Sequence, residues 1–202
     1  MLQAIDLCAR RGFSRLFTGL SFRLEPGQAL LVTGANGTGK TTLLRILAGL
    51  SQPTEGQVQW KGAPITQLES RRDIAFAGHL PALKDELTAE ENLASLVELA
   101  GEKPDPKSLR AALASVALEA QRVLPARVLS QGQRRRINLA RLTLVRRALW
   151  LLDEPVTALD TAGVALMAGL VTHHLEQGGC VVAATHQALV LPPERMRSLA
   201  LA

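Results

Sequence analysis

The feature that most constrains this chain is the sequence GANGTGKT at residues 34–41, which fits the pattern G-x-x-x-x-G-K-[ST]. An apolar run of strand length precedes it at residues 29–33, and apolar side chains at helical spacing follow it at residues 43–47. In this context glycines let backbone N–H groups approach phosphate oxygens, and the helix N-terminus adds partial positive charge. A chance glycine turn before a helix is the weaker interpretation, because both flanking elements are present. We therefore predict a nucleotide site lined by Gly34, Ala35, Asn36, Gly37, Thr38, Gly39, Lys40, Thr41 and Thr42.

Two loop residues and two later carboxylates predict the chemistry at this site. We expect Lys40 to reach the β and γ phosphates and the Thr41 hydroxyl to ligate Mg²⁺. A second apolar run, residues 149–152, ends at Asp153 and Glu154. Asp153 suits a magnesium shell, and Glu154 is placed to act as general base toward an attacking water. A solvated acid at a strand end is the alternative interpretation of Glu154, but beside a phosphate loop the pair favours hydrolysis over passive binding.

The remaining pattern predicts an α/β fold with a helical insertion. Strand-like runs occur at residues 20–24, 57–60, 74–77 and 181–185, and a helix is expected at 161–176. From about residue 81 to 125 the pattern is helical, with a capping box that opens at Thr88. A further helix is expected to begin at Ser130. The prediction is a single domain, with a core of about 1–80 and 126–202. An inserted helical subdomain is expected at about 81–125, together with the helix that begins at Ser130.

Composition limits the class of protein and of partner. The 202 residues are 47% hydrophobic and 20% charged, which is typical of a folded domain, and no apolar run approaches the ~18 residues of a membrane span. The net charge of +5 suggests an anionic partner, either a nucleotide, a nucleic acid or an acidic membrane face. Aromatic residues make up only 3%, with no tyrosine, so the stacking platforms of single-strand binders are hard to assemble. We expect both cysteines, Cys8 and Cys180, to be reduced.

The motifs of this chain and their order resemble those of ATP-binding cassette (ABC) ATPases. Besides the phosphate loop and the Asp153-Glu154 pair, residues 129–133 (LSQGQ) look like the signature of that family. Asp160 in Ala158-Leu159-Asp160 matches its D-loop, and His186, directly after the predicted strand 181–185, resembles its switch histidine. The resemblance covers essentially the whole chain. It implies a P-loop NTPase of the ABC type, with a RecA-like core sheet, an antiparallel β part and an inserted helical subdomain.

The resemblance also implies cofactors and a second chain. ATP and Mg²⁺ are expected, together with a second copy of the chain in a head-to-tail ATP-sandwich dimer. In that dimer Ser130, Gly132 and Gln133 contact the γ-phosphate held on the partner's loop, and Asp160 lies at the shared nucleotide site. His186 becomes a γ-phosphate sensor. Without the resemblance, Ser130 reads as a helix cap and His186 as a loop histidine.

Other polar residues near these motifs carry no assigned role at this stage. The arginines that follow the signature, Arg134, Arg135 and Arg136, could serve phosphate or a membrane surface, but a solvated helix face is the preferred interpretation for most of them. His173 and His174 have no metal-ligand spacing and are expected at the surface.

Two departures from the family pattern affect the site. His79 stands where the family has a glutamine that contacts Mg²⁺ and water, and a neutral imidazole can still orient water. The aromatic residue that stacks on adenine is missing. Its place falls near Arg11, with Phe13 as a substitute, and the Arg11 guanidinium plane can also stack on a base.

His79 and the segment at residues 81–93 resemble one branch, the ATP-binding subunits of the cytochrome c maturation system, described as a haem exporter. The branch implies a peripheral protein on the cytoplasmic face of the inner membrane, with membrane-spanning subunits as partners, no nucleic acid, and no direct contact with haem. Three alternatives stay open. They are the ATPase subunit of another ABC exporter, a soluble ABC ATPase acting on nucleic acid or ribosomes, and a nucleotide-responsive module without turnover, against which Glu154 argues.

Overall fold

The computed structural model describes residues 1–79, 82–187 and 189–201. They form two compact units. The sheet unit consists of Met1–Gly78, Arg147–Pro155 and Val171–Ala202, and the helical unit consists of His79–Arg146 and Val156–Leu170.

The described chain contains nine strands, six α-helices and two short 3-10 turns. The strands are β1 (Leu2–Arg11), β2 (Ser14–Leu24), β3 (Ala29–Thr33), β4 (Glu55–Trp60), β5 (Ala63–Pro64), β6 (Ile74–Ala77), β7 (Leu149–Asp153), β8 (Cys180–Ala184) and β9 (Met196–Ala200). The helices are α1 (Lys40–Leu47), α2 (Leu68–Arg72), α3 (Ala89–Leu99), α4 (Pro106–Ser115), α5 (Gln131–Leu144) and α6 (Thr161–Glu176). Short 3-10 turns occur at Ala126–Val128 and Pro193–Arg195.

The sheet unit contains a parallel and an antiparallel sheet. The parallel sheet has the strand order β6-β7-β8-β3-β9, and the antiparallel sheet has the order β2-β1-β4-β5. Every residue of β7 and β8 is buried, which explains why their sequences are continuous apolar runs rather than alternating ones. The carboxyl ends of parallel strands meet at one edge of the sheet, so the loops after β3, β7 and β8 emerge side by side. The predicted α/β class with an antiparallel part is confirmed.

The strands β1 and β9 were not predicted from the sequence. β1 pairs with both β2 and β4, and shifts of register interrupt its pairing with each neighbour. β9 pairs with β3 at the edge of the parallel sheet and alternates little between buried and exposed positions. Neither strand therefore carries a clear two-residue hydrophobic period.

The helical unit has its own core. Helix α5 packs against α3 and α4, and Leu93, Leu113 and Ile137 at these contacts are fully buried. The capping box predicted at Thr88 is present at the start of α3, where its hydroxyl accepts a hydrogen bond from the Glu91 backbone N–H. In the described part of the chain, no helix is both long enough and apolar enough to cross a bilayer.

The helical unit includes α5, which begins at the predicted signature, and extends to Arg146. It also takes in Val156–Leu170. The predicted start of the insertion, at residues 80 and 81, lies outside the described residues.

Two side chains of the sheet unit bear on the earlier expectations. Cys180 is fully buried, and burial raises the pKa of its thiol to about 11, so it stays protonated and unreactive at neutral pH. The expectation that His174 is a surface residue is wrong. Its ring stacks on Trp150 with centroids 3.9 Å apart and an interplanar angle of 7°. Burial lowers the pKa of His174 below its usual value, whereas His173 is exposed as expected.

Candidate functional site

The loop between β3 and α1 has a backbone that glycine makes possible. Gly34, Gly37 and Gly39 have φ angles of +142°, +87° and +101°. A side chain at Gly34 would overlap the carbonyl oxygen of Leu201 and lie 2.9 Å from Thr38 Oγ1. Gly39 caps α1 without a side-chain hydrogen bond, so the first amides of the helix can face a ligand. The loop therefore has the form of an anion cradle.

The Lys40 side chain lies inside this loop and bonds to its backbone. Its side chain is only 7% exposed, and Nζ donates hydrogen bonds to the carbonyl oxygens of Gly34 at 2.8 Å and Ala35 at 2.9 Å. An ammonium group has three donors, so these two bonds leave capacity for one more acceptor. The positive charge is thus fixed beside the amides that would receive a phosphate.

Thr41 and Asp153 meet at the carboxyl end of β7. The Thr41 hydroxyl lies 3.0 and 3.2 Å from the two carboxylate oxygens of Asp153, whose side chain is buried. Hydroxyl and carboxylate oxygens are the donors that Mg²⁺ prefers, with the remaining positions taken by phosphate and water. Among the described residues, no group of three or more His, Cys, Asp and Glu side chains is placed to hold a metal. The donor set thus fits Mg²⁺ shared with a nucleotide rather than a metal caged by the protein.

Glu154 and His186 lie next to each other although they are far apart in sequence. His186 Nε2 is 3.3 Å from Glu154 Oε1, and the Glu154 backbone N–H donates to the Ala184 carbonyl at 2.8 Å. Glu154 has a φ of +51°, a left-handed conformation that non-glycine residues adopt rarely and that persists when neighbouring contacts hold it. The end of the parallel sheet therefore presents a carboxylate with an imidazole beside it.

The predicted signature residues form the start of α5 in the helical unit. Ser130 Oγ accepts from the Gln133 backbone N–H at 3.2 Å, and Gln133 Oε1 accepts from the Ser130 N–H at 2.9 Å. A Cβ on Gly132 would lie 2.8 Å from the Ala158 carbonyl oxygen, so only glycine allows this approach. This capping box leaves the remaining N-terminal amides of α5 exposed to a ligand.

The three arginines after the signature are not a solvated face, so that expectation was wrong. Arg134 forms an ion pair with Asp85. Arg135 is buried and donates from Nη1 to the His79 carbonyl oxygen at 3.1 Å. Arg136 Nη2 lies 2.6 Å from Asp160 Oδ1. Sequence reasoning missed these contacts because nothing in a run of arginines indicates which loops will fold back onto it.

Asp160 is held by two donors. Its Oδ1 accepts from the Gly163 backbone N–H at 2.9 Å as well as from Arg136. The Gly163 N–H, followed by the Arg136 side chain, lowers the pKa of the Asp160 carboxyl, and the carboxylate is therefore the stable form.

The remaining predicted residues lie in exposed positions. The side chain of His79 is exposed at the start of the helical unit. Arg11 and Phe13 flank the turn between β1 and β2, and Phe13 is fully exposed. Thr38 Oγ1 donates to the Ala35 carbonyl at 3.0 Å, which closes the loop, and Asn36 and Gly37 are exposed on it.

Comparison with known proteins agrees with this geometry. The family profile "ABC transporter" matches residues 17–157. The chain is 48% identical over 203 residues to the cytochrome c biogenesis ATP-binding export protein CcmA of Nitrosomonas europaea, covering 100% of this chain and 95% of that protein. It is 50% identical over 190 residues to the protein of the same name from Aromatoleum aromaticum, covering 93% and 89%.

Solved structures share the fold. A putative ABC transporter ATP-binding protein from Pyrococcus furiosus superposes with a TM-score of 0.87 at 26% identity, covering 99% of this chain and 96% of that one. An ATP-binding cassette solved as a dimer in a post-hydrolysis state, bound to ADP and Pi, gives a TM-score of 0.78 at 26% identity, with coverages of 93% and 88%. The chain therefore belongs to the ATP-binding subunits of ABC transporters and, within them, to the family of cytochrome c biogenesis ATP-binding export proteins.

Proposed function

We propose that this chain is the ATP-hydrolysing subunit of an ABC exporter complex and that it powers a membrane step of cytochrome c biogenesis. The observation that carries the hydrolytic part is the convergence of Lys40, Thr41, Asp153, Glu154 and His186 at one edge of the parallel sheet. The pathway rests on the relatives of nearly full length that carry the name of cytochrome c biogenesis export proteins.

The loop and α1 bind the triphosphate. Amides of residues 34–41 and the Lys40 ammonium donate to phosphate oxygens, and the positive end of α1 favours their negative charge. Thr41 and Asp153 would hold Mg²⁺, which neutralises charge on the phosphate oxygens when bound. Since Lys40 is already fixed by two loop carbonyls, little side-chain order remains to be lost when the nucleotide binds.

Glu154 and His186 act on the water and the γ-phosphate. The Glu154 carboxylate accepts a proton from the attacking water, so that the oxygen can attack phosphorus as the bond to the leaving ADP oxygen breaks. His186, whose Nε2 lies 3.3 Å from Glu154 Oε1, is assigned the role of sensing the γ-phosphate beside this carboxylate. His79, in the helical unit, is assigned the role of orienting water that the general ABC pattern gives to a glutamine.

A second copy of the chain completes the site. Ser130, Gly132 and Gln133, at the N-terminus of α5, are assigned to the γ-phosphate held on the partner's loop, and Asp160 to the same shared interface. The solved post-hydrolysis dimer of a related cassette supports this arrangement. Arg11 or Phe13 is assigned to the adenine base, since both are exposed beside the turn that follows β1.

The partners and location follow from the pathway. We assign membrane-spanning subunits of the cytochrome c maturation complex as partners and the cytoplasmic face of the inner membrane as the location, with the chain bound peripherally. Haem is not expected to contact this chain, and no nucleic acid is expected.

The proposal is tested in a bacterium that lacks its own copy of this ATPase and therefore makes no mature c-type cytochromes. The wild-type chain, expressed there with its cognate membrane subunits, is expected to restore haem-stained cytochromes c, and Glu154→Gln is expected to fail at equal expression. Equal restoration by both proteins would contradict an ATP-powered role, and failure of the wild type alongside active ATP hydrolysis would point to another exporter.

A further inference from the structure

The helical unit contains one arginine whose contacts link two motifs that the proposed mechanism uses separately. The first motif is the N-terminal turn of α5, with Ser130 and Gly132. The second is the segment at residues 158–160, which precedes α6 and is called the Asp160 turn below. Arg136 lies on α5 less than two helical turns after Ser130 and reaches Asp160 with a separation of 2.6 Å. Its side chain is 15% exposed, whereas that of Asp160 is 67% exposed. The pair therefore has one well-packed partner and one that faces solvent.

Backbone contacts bring the same two segments together at a second point. The Ala158 carbonyl approaches α5 so closely that a Cβ on Gly132 would lie 2.8 Å from its oxygen. Ala158 also has a φ of +63°, a strained value for alanine. Such a conformation persists only when neighbouring contacts hold it, and the close approach to α5 and the Arg136–Asp160 pair are contacts of that kind.

The carboxylate of Asp160 also accepts a hydrogen bond from the start of α6. It caps α6 through the Gly163 N–H at 2.9 Å, and a Cβ on Gly163 would lie 2.9 Å from Asp160 Oδ1 and 3.3 Å from Arg136 Nη2. One carboxylate oxygen of Asp160 is thus bonded both to Arg136, in the N-terminal half of α5, and to the first turn of α6. An arginine that serves only as a surface ion pair would not be packed against a helix cap in this way.

We propose that Arg136 is a positioning residue: it fixes the Asp160 turn to the signature end of α5, so that both segments meet the nucleotide of the partner subunit as one body. This inference rests on the proposed ATP-dependent dimer and adds a residue that the sequence analysis left without a role. Its neighbours act in the same sense, since Arg135 binds the His79 carbonyl and Arg134 pairs with Asp85. The helix after the signature thereby contacts two segments that the mechanism uses, the one with His79 and the one with Asp160.

The test compares four single variants and one double variant of the full chain. Arg136→Gln keeps a long donor but removes the charge, and Arg136→Lys keeps the charge. Asp160→Asn keeps the acceptor for Gly163 but removes the charge that Arg136 meets. The matched control is Arg122→Gln, which breaks an ion pair in the same unit. Arg122 Nη1 lies 3.0 Å from Glu90 Oε2, and neither residue belongs to the signature or to the segment 158–160.

ATP hydrolysis separates a positioning role from a structural one. Arg136→Gln is expected to lower kcat about 10- to 100-fold, as misplacement of a catalytic group does, with KM for ATP little changed because the phosphate loop belongs to the sheet unit. Arg136→Lys is expected to recover part of that loss. The double variant Arg136→Gln/Asp160→Asn is expected to have a kcat no lower than that of the less active single variant, because both changes break the same interaction. Arg122→Gln is expected to keep the wild-type kcat.

A binding measurement removes the dependence on turnover. In the Glu154→Gln background, ATP-driven dimerisation followed by sedimentation is expected to need more ATP when Arg136→Gln is added, while binding of a fluorescent ATP analogue at low protein concentration stays the same. Unchanged kcat and dimerisation in Arg136→Gln, or strictly additive losses in the double variant, would overturn the positioning role. Absence of hydrolysis by the wild-type chain would instead count against the proposed function.

Discussion

Replacement of Glu154 by Gln isolates one chemical property of the site. Glutamine has the same shape and keeps an Oε1 acceptor for His186 Nε2, which lies 3.3 Å away, while the backbone bond from residue 154 to Ala184 is unaffected. The positive φ of +51° is also no worse for glutamine than for glutamate. The substitution therefore removes the proton acceptor and little else.

The expected loss follows from the contribution of a general base. Such a group accelerates a reaction about 100- to 10,000-fold, so kcat is expected to fall by that factor. This corresponds to about 2.7–5.4 kcal/mol of transition-state stabilisation. Lys40, Thr41 and the loop amides are untouched, and KM for ATP is therefore expected to stay near its wild-type value.

The assay is phosphate release from saturating ATP and Mg²⁺ by the purified chain, with Glu69→Gln on the exposed face of α2 as the matched control. Nucleotide-bound dimer, measured by sedimentation, is expected to accumulate in Glu154→Gln because ATP persists. A kcat within about twofold of wild type would show that Glu154 is not the base, since even the low end of the expected effect is far larger.

Three further substitutions test other parts of the account. Lys40→Ala removes a charged donor, and a hydrogen bond to a charged group contributes roughly 1.5–3 kcal/mol. Binding of a fluorescent ATP analogue is therefore expected to weaken at least about 10- to 150-fold. Near-normal affinity would contradict the assigned phosphate contact. Gly34→Ala is expected to lower the free energy of unfolding by about 1–3 kcal/mol, because the new Cβ overpacks against Leu201 and Thr38, and so to lower Tm in calorimetry. Gly37→Ala meets no atom within 4 Å and should cost less. Equal losses of stability in the two variants would contradict the steric argument. Burial lowers the pKa of His174, so the folded chain binds fewer protons at this residue than the unfolded chain and loses stability as the pH falls below about 6.5. His174→Phe keeps an aromatic ring against Trp150 and should reduce that loss in thermal melts between pH 7 and 5. Identical pH profiles of the two proteins would contradict this prediction.

The parts of this protein that could be predicted from sequence are those with local causes. The phosphate loop combines a glycine pattern with an apolar strand and an amphipathic helix, so residues 29–47 were placed correctly as β3, loop and α1. β7 and β8 are buried along their whole length and therefore read as apolar runs. Asp153 ends β7 and His186 comes two residues after β8, and the carboxyl ends of parallel strands meet at one edge of a sheet.

The parts that could not be predicted depend on partners distant in sequence. β9 is an edge strand whose place is given by pairing with β3 rather than by its own hydrophobic pattern. His174 looks like a surface residue on a helix until Trp150 is found under its ring. Arg136 looks like one charge in a run until Asp160 folds back onto it. In each case a contact with a residue distant in sequence determines the role, and neither composition nor spacing indicates that contact.

The central claim is that this chain supplies ATP hydrolysis to a membrane complex of cytochrome c biogenesis. The most direct measurement is affinity isolation of the tagged chain from detergent-solubilised membranes, with mass spectrometry of what it brings down and ATPase activity of the recovered complex. The account predicts membrane-spanning cytochrome c maturation subunits, recovered with hydrolysis that Glu154→Gln abolishes. Recovery of a different permease would contradict the pathway, and recovery of ribosomes or nucleic acid in place of membrane subunits would contradict the exporter role itself.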